Sequence, residues 1–232
     1  MPRPRDRLFT RRTALRWATL AAAFSYPLHA LAARWTVGPG GRLPTLRDAL
    51  MQAAPGDTID LLPGVYHGEV GVIEKNGLRI RGLPPRPVLH ADGQDAEGKA
   101  ILVVRADNVT LENLELRGCR VASGNGAGVR FERGRLMVRG CAFLDNEMGL
   151  LTANDPSAML SLDDCEFGQA PRHEGALHHL LYAGTIGELV VSRCRFSGGF
   201  RGHLLKSRAR RSRILHNRLI DGDGGIAQST EL

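Results

Sequence analysis

The feature that most limits the fold of this 232-residue chain is a short phrase repeated along its second half. Leu136, Val138, Cys141 and Phe143 spell it once, Leu160, Leu162, Cys165 and Phe167 a second time, and Leu189, Val191, Cys194 and Phe196 a third. A weaker copy carries Ile214, Asn217 and Leu219, and earlier copies run through Val109, Leu111, Leu114 and Leu116 and, more loosely, Leu78, Ile80 and Leu83. With the Cys place as the mark, Leu83, Leu114, Cys141, Cys165, Cys194 and Asn217 are 31, 27, 24, 29 and 23 residues apart. A period of that length indicates a solenoid. Apolar and polar residues alternate within each copy, which is strand spacing, and no copy holds a long helical pattern.

After each phrase comes a turn rich in Asn and Gly (Asn146, Gly149, Gly199, Gly202, Gly222, Gly225), read as places where a left-handed backbone is inexpensive. A second short strand follows, as at Leu150 to Asn154 and His203 to Ser207. Strand, turn, strand, looser loop and return make one coil of a parallel β-helix. Pro44 to Ala53 reads as an amphipathic capping helix, with Leu46, Ala49, Leu50 and Ala53 on one face. These repeats, and the segment Leu43 to Tyr66, resemble the right-handed parallel β-helix proteins of the pectate-lyase-like superfamily from about Arg34 onward. The expected fold is all-β: a right-handed parallel β-helix solenoid of about six or seven coils with a short N-terminal capping helix. Handedness rests on the resemblance and on the general preference of parallel crossovers.

Residues 1–33 read as an export segment. Arg3, Arg5, Arg7, Arg11, Arg12 and Arg16 form a basic head before a mostly apolar run from Trp17 to Ala33, and Ala30 to Ala32 suits cleavage. Thr10 to Arg16 resembles a twin-arginine motif, although Ala14 and Arg16 depart from it. An uncut basic membrane anchor is the alternative. Residues 34–232 then form one β-helix domain, expected to be periplasmic or secreted and free of the membrane once the signal is removed. The full chain carries +7, of which the first 33 residues hold +5, leaving about +2. Nucleic acid is therefore not an expected partner. The exception to near-neutrality is Lys206 to Arg213, with five cations in eight residues. The chain stops within a further second strand, from Gly225 to Leu232, with no closing cap in sight. Self-association through that open coil, or descent from a longer relative, would account for such an end.

In an oxidising compartment the cysteines need explanation. Cys141, Cys165 and Cys194 share a register and are expected as an inward structural ladder of free thiols, because stacked side chains point the same way and make poor disulfide geometry. No metal is expected there, since a one-dimensional ladder cannot surround an ion. Cys119 falls in the turn place of Asn146 and stands outside the stack.

Chemistry is sought on the outer face of the second strands. Alignment on the turns puts Val129, Leu150, His179, His203 and Ile226 in one inward column, with Phe131, Thr152, Leu181, Leu205 and Gln228 two residues on. Glu132, Ala153, Tyr182, Lys206 and Ser229 then face out, with Asp155, Gly184 and Arg208 beyond them. His179 and His203 are expected as stacked structural imidazoles satisfied by turn carbonyls. For the outer face, the superfamily resemblance implies β-elimination on a uronic-acid polymer. Arg208 would hold the carboxylate, Lys206 would take the adjacent proton and Tyr182 would donate to the leaving oxygen. Asp155, Arg172, Arg210 and Arg211 are the expected substrate contacts, and the insertion 168–176 a loop beside the groove. The calcium-binding acidic cluster of many pectate lyases is not apparent, and no cofactor motif is present. The reading is an exported β-helix protein that binds an acidic polysaccharide, with polysaccharide-lyase-type cleavage as its enzymatic form. A noncatalytic carbohydrate-binding or cell-surface β-helix, or a truncated inactive relative, stands as the alternative.

Overall fold

The computed structural model describes residues 32–172 and 177–220. Within them the chain winds as a parallel β-helix with three sheets, of eight, seven and six strands. The first sheet runs from Arg34–Val37 to Arg211–Leu215, the second from Val65–His67 to Arg218–Ile220, and the third from Gly71–Ile73 to Leu205–Ser207. Residues 1–31 of the expected export segment 1–33, His173 and Glu174 of the insertion, and the C-terminal stretch with Ile226, Gln228 and Ser229 lie outside the described residues. The first sheet has more rungs than the six or seven coils expected, and the added one precedes the helix. Arg34–Val37 pairs with Thr58–Leu61, Trp35 opposite Ile59 and Val37 opposite Leu61. The helix is therefore an insertion after the first rung.

That helix, Leu46–Gln52, begins where a side chain can replace the missing carbonyl partner. Thr45 Oγ1 accepts from Asp48 N at 3.0 Å. Its buried face is Leu46 and Ala49, continued by Ala53. Asp57 then ties the entrance together, its carboxylate accepting from Ala33 N (2.7 Å), Ala54 N (2.8 Å) and Trp35 Nε1 (2.9 Å). Burial works to raise this carboxyl, but the three hydrogen bonds prevail and hold it below its ordinary value.

The core is built by stacking like on like. Successive coils align Ile80, Leu111, Val138, Leu162, Val191 and Ile214 in the first sheet. In the second they align Leu116, Phe143, Phe167, Phe196 and Leu219. The rings of Phe143, Phe167 and Phe196 stack nearly parallel, with centroids 4.6 and 4.7 Å apart, at the rung spacing of a sheet. On the outer face of the first sheet the same registration makes a ladder of alternating charge. Asp60, Arg81, Glu112, Arg139 and Asp163 follow one another, and Arg81 Nε lies 2.9 Å from Asp60 Oδ1.

Between the first and second sheets the last five coils turn on one left-handed residue each, Asn113, Gly140, Asp164, Arg193 and His216 in turn, with φ of 51–59°. Cys141, Cys165 and Cys194 come next and are buried as free thiols. Each thiol donates to the carbonyl two residues back: Arg139 at 3.4 Å, Asp163 at 3.4 Å and Ser192 at 3.3 Å. Burial pushes the Cys141 thiol up to about 12, and the bond with Cys194 together with burial raises Cys165.

Asn146, Gly149 and Gly202 differ from the sequence expectation, since none of them has a left-handed backbone. The left-handed residue in the turn of Asn146 is Asp145 (φ 54°), as Gly118, Gln169 and Gly198 are in other coils. Asn146 serves through its amide: Nδ2 donates to Leu116 O and Oδ1 accepts from Cys119 N, both at 2.9 Å, joining its coil to the one before. Asn217 does the same in the other turn, to Val191 O (2.8 Å) and Cys194 N (2.7 Å).

Two outcomes are expected. Phe167→Ala, removing the middle ring of the stack, should cost about 3–5 kcal/mol in urea unfolding, whereas Phe167→Leu, a residue the same column accepts on either side of the three phenylalanines, should cost less than about 1.5 kcal/mol. Native protein should not react with a thiol reagent at any of its four cysteines, all buried, until denaturant is added.

Candidate functional site

The outer face of the third sheet carries the groups singled out in the sequence, but in a different register. Leu181 and Leu205 lie in the column of Leu150 and Val129. His179 and His203 therefore precede that column by two places. The turns leading into these coils are two residues longer than the alignment on Asn and Gly allowed. A slip of two leaves every side chain on its own face of a strand, so alternation gives no warning of it. Tyr182 and Lys206 remain opposite one another, now following Val72, Val103, Arg130 and Leu151. Glu132 and Ala153 belong instead to the column of Gly184 and Arg208, placed by the bonds Glu132 N to Val104 O, Ala153 N to Phe131 O and Arg208 N to Ala183 O.

Tyr182 is the centre of the arrangement. Lys206 Nζ lies 4.6 Å from its ring centroid and Arg208 Cζ 5.8 Å. The His179 ring meets it edge-on at 5.3 Å. A phenol ring half-covered by two cations is held by cation–π attraction and offers a flat surface beside positive charge. Among the described residues neither Lys206 nor Arg208 has a carboxylate within 4.0 Å. Upstream on the same face the charges cancel: Lys99 bonds Glu97 (3.0 Å) and Glu132 (2.8 Å), and Arg105 bonds Glu132 (3.1 Å) and Glu97.

The remaining expected contacts separate. Asp155 is not beside Tyr182; it caps the turn after Met148–Thr152, with Oδ1 accepting from Ser157 N (2.9 Å) and Ser157 Oγ (2.7 Å), bonds that hold its carboxyl below the ordinary value. Arg210 lies in the turn between sheets, its N–H on Ile186 O. Arg211 begins a strand of the first sheet, 3.9 Å from Glu188, and so leaves the Tyr182 face. The basic run is divided by a turn and serves two sheets. Arg172 stands over Phe200 at 5.8 Å, at the turn between the second and third sheets. Arg130 was not among the expected residues, yet it shares the outward column with Tyr182 and Lys206, and its Nε has no hydrogen-bond partner among the described residues. Its signal in the sequence was its place between Val129 and Phe131, two buried residues that fix it as outward-facing.

His179 and His203 adjoin, with ring centroids 4.8 Å apart and planes tilted by 55°. His179 Nδ1 accepts from the backbone N–H of His203 at 2.9 Å. That role requires a lone pair on Nδ1. Burial, then the charges of Lys206, His203 and His178, lower His179 to about 4.

No family model matches the chain, and no curated protein matches it. Among solved structures it is similar to the pectin methylesterase from Aspergillus niger in two glycosylation states. The deglycosylated form matches at 14% identity and the form keeping an N-acetylglucosamine stub at 13%; for each the TM-score is 0.39, with 85% of this chain and 88% of that chain covered.

The histidine geometry predicts a pH effect of definite sign. The folded value of His179 lies below its ordinary 6.5, so protons favour the unfolded chain. Its contribution is complete above about pH 6.5 and is lost as pH falls toward 4. Urea titrations across that window should show the parent losing stability more steeply than His179→Gln; parallel pH dependence in the two proteins would contradict the placement.

Proposed function

We propose that this protein binds an acidic polysaccharide along the outer face of its third sheet, with Tyr182 as the platform and Lys206 and Arg208 as the carboxylate contacts. The observation that carries the reading is the pair of cations held against one aromatic ring without a carboxylate partner among the described residues, on a surface whose other cations are largely paired. A sugar ring presents an apolar face to an aromatic surface and its carboxylate to a guanidinium, which Arg208 can meet in bidentate fashion. The column from Arg130 through Leu151 and Tyr182 to Lys206 extends along the helix axis over three rung spacings, roughly 14 Å. That is a line with a cation at either end and one aromatic ring between them, suited to a linear polymer.

Chemistry on such a polymer would be β-elimination. Arg208 would neutralise the carboxylate and so acidify the adjacent C–H, Lys206 in its neutral amine form would take that proton and become the ammonium, and the Tyr182 hydroxyl would protonate the departing oxygen as the double bond forms.

Retention on immobilised polygalacturonate and alginate, with neutral dextran as the control, tests the binding. The parent should be held at low salt and released as salt rises. Arg208→Ala and Lys206→Ala should each weaken binding roughly tenfold, about 1.4 kcal/mol, and flatten the salt dependence. An Arg208→Ala protein that binds as the parent does at low salt would refute the assignment. Absorbance of the unsaturated product, followed in the same mixtures, reports on elimination.

A further inference from the structure

At the opposite end of the solenoid, on the outer face of the second sheet, two histidines from successive coils lie side by side. His67 closes Val65–His67, His90 closes Val88–His90, and the two are directly opposite in register with ring centroids 5.8 Å apart. The turn from Ala91 to Gln94 returns a carboxylate to them. It is closed by Gln94 N on Ala91 O at 2.8 Å, and both central residues, Asp92 and Gly93, have positive φ (49° and 77°), the form of a type I′ turn. Asp92 Oδ2 then lies 3.4 Å from His67 Nδ1. One nitrogen from each imidazole and one Asp92 oxygen all fall within 4.8 Å of one another.

We infer that His67, His90 and Asp92 form a binding site for one divalent ion of the zinc class. For metal bonds of about 2.0–2.2 Å, the donor–donor edge of a tetrahedron is about 3.4 Å, the separation already present between His67 and Asp92. Two imidazoles and a carboxylate select borderline first-row ions over calcium or magnesium, which favour all-oxygen shells. The scaffold is partly fixed and partly adjustable. His90 packs against Gly118, where an added Cβ would come within 3.1 Å of the ring, and its Nδ1 accepts from Asp92 N at 3.1 Å, a bond that metal ligation through this atom would replace. The His67 and Asp92 side chains are 65% and 59% exposed and can rotate by the small amount needed to close on an ion. The next residue in the column, Arg117, directs its guanidinium to Glu115 (3.3 Å) and Gln169 (3.1 Å). Three protein donors leave a coordination place open to water.

Calorimetric titration of the tag-free, chelator-treated protein with Zn2+ tests the inference. The expected result is one ion per chain, unaffected by excess Ca2+ or Mg2+, with at least about tenfold weaker binding in His67→Ala and in Asp92→Asn and no change in His216→Ala. Because both altered side chains are largely exposed, the metal-free variants should melt where the parent does, and Zn2+ should raise the melting temperature of the parent alone. The site would be overturned by absence of Zn2+ binding to the parent, by undiminished binding to the His67→Ala, Asp92→Asn double variant, or by loss of binding in His216→Ala.

Discussion

Everything in this protein depends on the parallel hydrogen-bonded pairing of one coil with the next. That pairing brings residues of neighbouring coils into direct opposition, so each position on a strand becomes a column running the length of the solenoid. A column accepts what stacks well on itself. Three phenyl rings do so at the rung spacing, leucine and isoleucine do so in the first sheet, and carboxylates and guanidinia do so by alternating. Since each coil contacts only its neighbours, stability is the sum of many local agreements, and one faulty residue is felt mainly by the coils above and below.

The columns were readable in the sequence where the repeat was spelled in full. The Cys and Phe places recur at fixed offsets, and the structure keeps those offsets across the left-handed residues Gly140, Asp164 and Arg193. The third sheet was less legible because its strands are reached through turns of unequal length. A two-residue difference there preserves which side chains face outward while changing which ones are neighbours, and hydrophobic alternation is blind to that difference. Tyr182 and Lys206 stayed together because both of their coils carry the same extra length. Asp155 did not join them because its short side chain is taken by the turn in which it stands. The first rung was hidden for another reason: Arg34–Val37 precedes a helix, and a helix after an export-like segment looks like the beginning of the fold.

The two ends of the solenoid use the same geometry for different chemistry. At one end, opposition of a tyrosine and a lysine places charge against an aromatic face. At the other, opposition of two histidines supplies a pair of donors to which a tight turn adds a third. Neither arrangement contains a recognisable local motif, because the opposed residues, Tyr182 with Lys206 and His67 with His90, are 24 and 23 positions apart in sequence and become neighbours only by the winding of the chain.

The thiol columns bear on the order of events in the life of this chain. Once coiled, Cys141, Cys165 and Cys194 are each bonded to the last carbonyl of the strand just before them and closed to outside reagents. Before coiling, the same three are 24 and 29 residues apart on a mobile polymer, distances at which ring closure is entropically easy. An oxidant that arrives after winding finds nothing to join, while one that arrives before it can tie a loop that the rungs have no room for. The hazard for this protein is therefore one of timing, and it ends when the coils close.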